Sequence, residues 1–245
     1  MKYIEHYKIK WHDTDANRMV SPSRVLAYMQ ETANLHLRSC GMSLDDLRDQ
    51  KKLAFILSRI AIRIYEPMYA YEEIDVETWV CESRGMSFHR CFRILRQDTV
   101  IAEAFSVWAL LDLCDKKLLP STAFPYQIEP ELPLGQEMAV RVRLPAMSLM
   151  KYVGDRKIVY SDIDYNGHMN NTHYPDMLCD FTPDIHRKRV IGLTLSFLHE
   201  AAYGNTLKVY RAAREGGYYF RTVNGEGTTC LEASLVTEDF NGLML

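Results

Sequence analysis

The 245-residue chain reads as an α+β protein built from two tandem copies of one unit, each an antiparallel sheet wrapped around a long helix. Three ordered matches predict this. IKWHDTDANRMVSPSRVLAYMQE, from Ile9, returns as IVYSDIDYNGHMNNTHYPDMLCD from Ile158, a shift of 149 that sets Asp13 on Asp162, Asp15 on Asp164 and Asn17 on Asn166. AIRIYEPMYAYEEIDVETW (61–79) returns as LTLSFLHEAAYGNTLKVYR (193–211), with Leu195 on Ile62 at a shift of 133. IAEAFSVWALLD (101–112) returns as CLEASLVTED (230–239), with Glu103 on Glu232 at a shift of 129. A shift that falls along the chain is what loops of unequal length produce, and a conserved order of matches marks a structural repeat.

Within each copy an apolar-aromatic run leads into D-x-D-x-N and then into a helix. In the first copy Ser21 suits the N-cap, Pro22 the first helical position and Gly41 the stop. Val25, Met29, Ala33 and Leu37 recur every four residues, and Leu26 and Tyr28 widen that stripe, which faces the strands. In the second copy Pro183 shortens the helix. Segments 61–79 and 193–211 alternate, turn and resume, the pattern of paired strands. The proline-rich, aperiodic STAFPYQIEPELPLGQE (121–137) reads as the connection. The expected division is an N-terminal unit over 1–130, a linker over 131–150 and a C-terminal unit over 151–245.

Composition narrows the function. Hydrophobic residues are 47% and charged residues 25%, with a net charge of −3, so nothing points to nucleic acid. No stretch approaches the roughly 20 apolar residues that span a bilayer. MKYIEHYKIKWHD lacks the apolar core of a signal peptide, and six scattered cysteines form no C-x-x-C pair, so reduced thiols in the cytoplasm are expected. His36 and Cys40 lie four apart on the first helix without a third ligand, so no metal and no other cofactor is expected.

The repeat separates scaffold from chemistry. Carboxylates and amides before a helix accept backbone N–H groups, which accounts for Asp13, Asp15 and Asn17 and leaves the same role open for Asp162. His168 has no such account, because its counterpart is Met19, which transfers no proton. Gly167 suits a tight turn or the close approach of a ligand to backbone. A second asymmetry falls in the same half: Glu200 stands where the first copy has Pro67.

SDIDYNGHMNNTHY resembles the D-x-N-x-H-x-N-N segment of the acyl-acyl carrier protein thioesterases of plants and bacteria. LTLSFLHEAAYGNTL is similar to the segment that supplies that family's glutamate, and LAYMQETANLH (26–36) looks like the start of its first half. The resemblance implies a double hotdog fold, an acyl carrier protein partner and a catalytic set of Asp164, Asn166, His168 and Glu200. It also implies an acyl tunnel in the N-terminal half, with Leu26, Met29, Phe55, Ile56 and Trp108 as candidate lining. Plant members carry a cysteine directly after the glutamate, once cast as a nucleophile; here Ala201 stands there, and Cys179 and Cys230 lie outside the motif. The chemistry then falls to Glu200 as base for water or, less simply, as nucleophile through an anhydride. His168 and Asn166 position water or thioester, Asp164 orients a side chain or the loop, and an N–H at Gly167 or just beyond polarises the carbonyl.

Enoyl-thioester hydration fits less well, since its D-x-N-P-x-H signature spaces histidine three residues from asparagine rather than two. Acyl-CoA hydrolysis and a non-catalytic acyl sensor are the remaining readings. An acidic carrier protein suggests contacts at HRKR (186–189) or at Arg84, Arg90, Arg93 and Arg96. A tandem pseudo-dimer is expected as a monomer or a homodimer.

Overall fold

The computed structural model describes residues 1–126, 128–214 and 216–240. The first half runs β1 (Tyr3–Lys8), α1 (Pro22–Ser39), α2 (Leu44–Asp49), β2 (Leu53–Ile64), β3 (Glu73–Arg84), β4 (Ser87–Arg96), β5 (Thr99–Asp112) and the short β6 (Lys117–Leu119). The second runs β7 (Lys151–Lys157), α3 (Tyr174–Asp180), β8 (Lys188–Phe197), β9 (Thr206–Arg214), β10 (Gly217–Val223) and β11 (Thr229–Asp239). All eleven strands form one sheet in the order β1-β3-β4-β5-β2-β8-β11-β10-β9-β7, with β6 added on β5. Read outward from the centre, the two halves follow the same order.

The seam β2·β8 carries the repeat in its register. Ile62 faces Leu193 and Ile60 faces Leu195, and a shift of 133 converts one pair into the other. Ala61 faces Thr194, its own counterpart, at the pseudo-twofold axis. Further out, Arg93 on β4 pairs with Glu103 on β5 at 2.9 Å, and Arg221 on β10 pairs with Glu232 on β11 at 2.6 Å. Each pair sits directly across its ladder.

Helix α1 starts as its sequence dictates: the Ser21 side chain accepts from the Arg24 N–H, and Pro22 opens the helix. Gly41, at φ +79°, turns the chain away in the left-handed region that glycine enters without penalty. Val25, Leu26, Met29, Ala33 and Leu37 are all buried. The second half's helix, α3, is only 7 residues long, and it ends at Phe181 because Thr182, preceding Pro183, disfavours helical backbone. A single apolar core runs through both halves, from Ile9, Leu26 and Phe92 to Leu178, Leu195 and Phe220.

The connecting segment does more than tether. The Trp79 indole donates to the Leu132 carbonyl at 2.8 Å. Leu134 and Met138 are buried with Trp79, Cys81 and Cys91 on the sheet face away from α1. Of the expected C-terminal unit, residues 241–245 lie outside the described residues. Among the described residues no helix is long and apolar enough to cross a membrane.

Candidate active site

The two D-x-D-x-N loops are superimposable devices. Asp13 accepts from the Lys10 N–H at 3.0 Å, and Asp162 from the Val159 N–H at 2.8 Å, 149 residues on. Both carboxylates are buried: Tyr28 donates to Asp13 at 2.7 Å, and Arg156 to Asp162 at 2.5 Å. Asp15 and Asp164 each accept the N–H of the asparagine two residues later at 2.8 Å, an Asx turn. Asp164 therefore shapes the loop. Desolvation raises the Asp15 carboxyl above its usual range.

What the second loop adds is His168. Its backbone bridges Ala202, as Met19 bridges Tyr69 in the first half, which brings it alongside the turn after β8. The neighbouring Met169 N–H donates to the Ala201 carbonyl at 2.8 Å and pins the two segments together. Across that bridge His168 Nε2 stands 3.5 Å from Glu200 Oε1. The imidazole is 23% exposed and the carboxylate 70%, so the pair faces water at the mouth of the site. In the first half the same geometry holds Met19 and Pro67, which can neither take nor give a proton.

Of the roles open to Gly167 the structure shows the tight turn: its N–H donates to the Asp164 carbonyl at 3.0 Å and closes it. Its φ of +83° explains the glycine, and the counterpart Arg18 carries φ +63°. The next N–H, that of His168, has no acceptor among the described residues. Met19 at the same position donates to Asp15 Oδ1 at 3.2 Å.

Asn166 is held from the other half. Arg48 of α2 donates to Asn166 Oδ1 at 2.5 Å, and its guanidinium lies 5.1 Å from the centre of the Tyr165 ring. With its oxygen engaged, the Asn166 amide presents N–H groups to whatever occupies the site. The first-half Asn17 is instead tied to the Lys188 carbonyl at 3.1 Å. No sequence signal links Arg48 to a loop 118 residues away. Arg48→Ala is expected to lower kcat about tenfold with KM little changed, because an unanchored asparagine loses orientation. Equal losses in the variant's stability and activity, or none in kcat, would remove Arg48 from the site.

The cysteines are poorly suited to nucleophilic work. Cys230 is buried, its Sγ 3.8 Å from the Glu200 carbonyl oxygen, and burial raises its thiol pKa. Burial and nearby carboxylates raise Cys179 further. A thiol held protonated is a poor nucleophile. Cys179→Ser and Cys230→Ser are expected to keep near-wild-type turnover, measured by steady-state hydrolysis; loss of turnover with an intact fold would restore a thiol mechanism.

A cavity of about 390 Å³ opens in the first half between α1 and the sheet, lined by Ala33, Leu37, Phe55, Phe88, Trp108 and Phe124 among others. Of the five candidate lining residues, Phe55 and Trp108 lie in it. Leu26 and Met29 do not: they are wholly buried in the main core, one to two turns before the cavity on α1. Ile56 does not either, since strand alternation points it away from Phe55 to the outer face, where it is 36% exposed. The cavity and the second D-x-D-x-N loop share α2: Leu44 lines the cavity, and Arg48, one turn on, holds Asn166.

Of the arginine run, Arg84 stays exposed beside an equally exposed Glu82, while the other three are buried or engaged. Arg90 is buried, Arg93 pairs with Glu103, and Arg96 pairs with Glu66 and Glu72. In HRKR, Lys188 and Arg189 are paired with Asp239 and Glu238.

Residues 1–122 match the acyl-ACP thioesterase N-terminal domain and residues 151–234 the acyl-ACP thioesterase C-terminal domain. The chain belongs to the acyl-ACP thioesterase family. Among curated members of that family, the chloroplastic acyl-[acyl-carrier-protein] hydrolase FATB2 of Cuphea viscosissima is 22% identical over 88% of this chain and 56% of its own length. The chloroplastic palmitoyl-acyl carrier protein thioesterase of Arabidopsis thaliana is 21% identical over 84% of this chain and 54% of its own. The chain thus spans about half the length of these curated relatives. Among solved structures, an acyl-ACP thioesterase from Bacteroides thetaiotaomicron superimposes with a TM-score of 0.87 at 22% identity, covering 97% of this chain and 98% of that one. The 12:0-ACP thioesterase from Umbellularia californica gives 0.81 at 17% identity, covering 97% of each. These likenesses establish the double hotdog fold.

Proposed function

We propose that the chain hydrolyses the thioester of fatty acyl-acyl carrier protein, releasing free fatty acid and ending chain elongation. The observation that carries this reading is the His168–Glu200 pair at 3.5 Å, present in one half and replaced by Met19 and Pro67 in the other. It is supported by an apolar cavity in the half that lacks the pair, joined to the catalytic loop by α2.

In this mechanism the acyl chain lies in the first-half cavity and the thioester carbonyl sits over the 166–168 loop. Glu200 takes a proton from a water, which attacks the carbonyl carbon. His168 Nε2 and the Asn166 amide hold the water and thioester in line. The oxyanion is stabilised by the His168 backbone N–H; as it collapses back to a carbonyl the C–S bond breaks, and the departing pantetheine thiolate takes the proton that Glu200 accepted from water, which restores the carboxylate. The exposure of Glu200 favours a base that meets water over one that forms an anhydride in a dry pocket. Asp164 contributes through the turn. The six free cysteines suit a cytoplasmic setting.

A second reading changes only the carrier. The acyl-CoA thioesterase YbgC of Haemophilus influenzae is 26% identical over half of this chain. Hydrolysis of an acyl-carrier-protein series from short to long chains, beside the matching acyl-CoAs and with Glu200→Ala as control, decides the matter. Turnover of the carrier-protein series at higher kcat/KM is the expected result; preference for acyl-CoA would move the assignment, and hydrolysis of neither would leave an acyl-binding protein.

A further inference from the structure

We infer that the first-half cavity takes an acyl chain bearing an acceptor oxygen remote from the thioester, an oxo group or a carboxylate, and that Arg90 receives it. This deepens the thioester hydrolase reading and rests on it.

Arg90 lines the cavity from β4 and is only 7% exposed. Its Nη1 donates to His36 Nδ1 at 3.0 Å and to Thr78 Oγ1 at 3.1 Å. Both partners are neutral: burial and the nearby guanidinium hold His36 down to a pKa of about 4. No carboxylate lies within ion-pair distance of Arg90 among the described residues; besides the neutral His36, the ionisable groups that act on it are the thiols of Cys40, Cys81 and Cys91. Burial pulls its own pKa down to about 10, still well above neutrality, so the guanidinium carries its charge. A guanidinium has five donors, and only Nη1 is engaged by described residues.

A buried charge without a counter-charge is costly, and folded proteins ordinarily pair it. This chain does so elsewhere on the same strand and its neighbours, with Arg93 on Glu103 and Arg96 on Glu66 and Glu72. The second half does so too, with Arg221 on Glu232. Arg90 is the exception, and it is also the one facing a cavity. Its counterpart on β10 is Tyr218, since Arg90 faces Ser106 and Tyr218 faces Leu235 across matching ladders. The unpaired cation therefore belongs to the half that holds the cavity, not to the shared scaffold.

The ligand that completes such a site must accept hydrogen bonds. An alkyl chain offers nothing to the free N–H groups and leaves the charge buried and dry. An oxo group accepts one or two bonds. A carboxylate matches the guanidinium fork with two and also neutralises it. Glu129 at the cavity mouth is exposed and not within ion-pair reach of Arg90, so it does not pre-empt the role.

The test is steady-state hydrolysis by the intact chain of acyl-carrier-protein thioesters matched in length and ending in methyl, oxo-substituted or carboxyl-bearing chains. At the best-fitting length an oxygen-bearing chain is expected to exceed its methyl-ended match at least tenfold in kcat/KM, mainly through KM. In Arg90→Met that ratio falls to one or below; in Arg90→Lys the carboxyl-bearing chain keeps part of its advantage. If Arg90→Met does not fold, the wild-type ratio and the lysine variant decide. A wild-type preference for methyl-ended chains at every length overturns the inference and leaves the hydrolase reading standing. Hydrolysis of none of the three series overturns both.

Discussion

Replacing Glu200 by glutamine is expected to lower kcat by about 10²–10⁴-fold with the fold intact, the range a positioned general base contributes. The amide keeps the shape and the hydrogen-bonding reach of the carboxylate but takes no proton from water. His168→Ala is expected in the same range, because in the proposed mechanism the imidazole, 3.5 Å from Glu200 Oε1, aligns the water and the reacting carbonyl. The double variant is expected to lose little more than either single one, since the two groups act on one water. Both side chains are partly exposed, so neither change should move the urea midpoint appreciably. Steady-state kinetics and urea denaturation on the same preparations check this, and a variant that turns over normally would take its residue out of the chemistry.

The largest stability effect is expected at Asp162. Its buried carboxylate accepts from Arg156 and from the Val159 N–H, and it anchors the loop on which Asn166 and His168 are presented. Asp162→Ala leaves the Arg156 guanidinium without its carboxylate and a backbone donor without a partner, a loss of about 3 kcal/mol. Asp13→Ala, which strands Tyr28 and the Lys10 N–H, should cost a similar amount. Asp164→Ala removes only an Asx turn and should cost about 1 kcal/mol. Urea midpoints that rank Asp164 above Asp162 would reverse the division between frame and loop.

That division was largely visible in the primary structure, for a physical reason. A twice-written unit supplies its own control: a residue present in both copies serves the frame, and one present in a single copy serves something else. The 149-residue shift placed Asp13 on Asp162, and both cap the same turn. The 133-residue shift placed Leu195 on Ile62, and the β2·β8 register obeys it. Helix α1 was legible from its cap, its stripe and its stop.

What escaped was contact between distant segments and anything covering a second face. Arg48 reaches Asn166 only because α2 packs beside the seam, and no local pattern announces that. Arg90 stands in a strand whose charged residues look outward-facing. Yet Arg90, Cys91 and Phe92 are buried in succession, because α1 covers one face and the segment around Leu134 the other. Leu26 and Met29 read as tunnel residues because helix periodicity marks a buried stripe without saying where along it the packing opens. Gly167 read as turn-maker or donor because the sequence does not show that its N–H already closes the turn.

The proposed mechanism gives the chemistry to one half and the acyl chain to the other. The most direct test is kcat for one acyl-carrier-protein substrate in Glu200→Gln beside Pro67→Ala, the same structural position in the two halves. A loss of at least about a hundredfold is expected in the first and a rate close to wild type in the second. Comparable rates in the two variants, or the greater loss in Pro67→Ala, would contradict it.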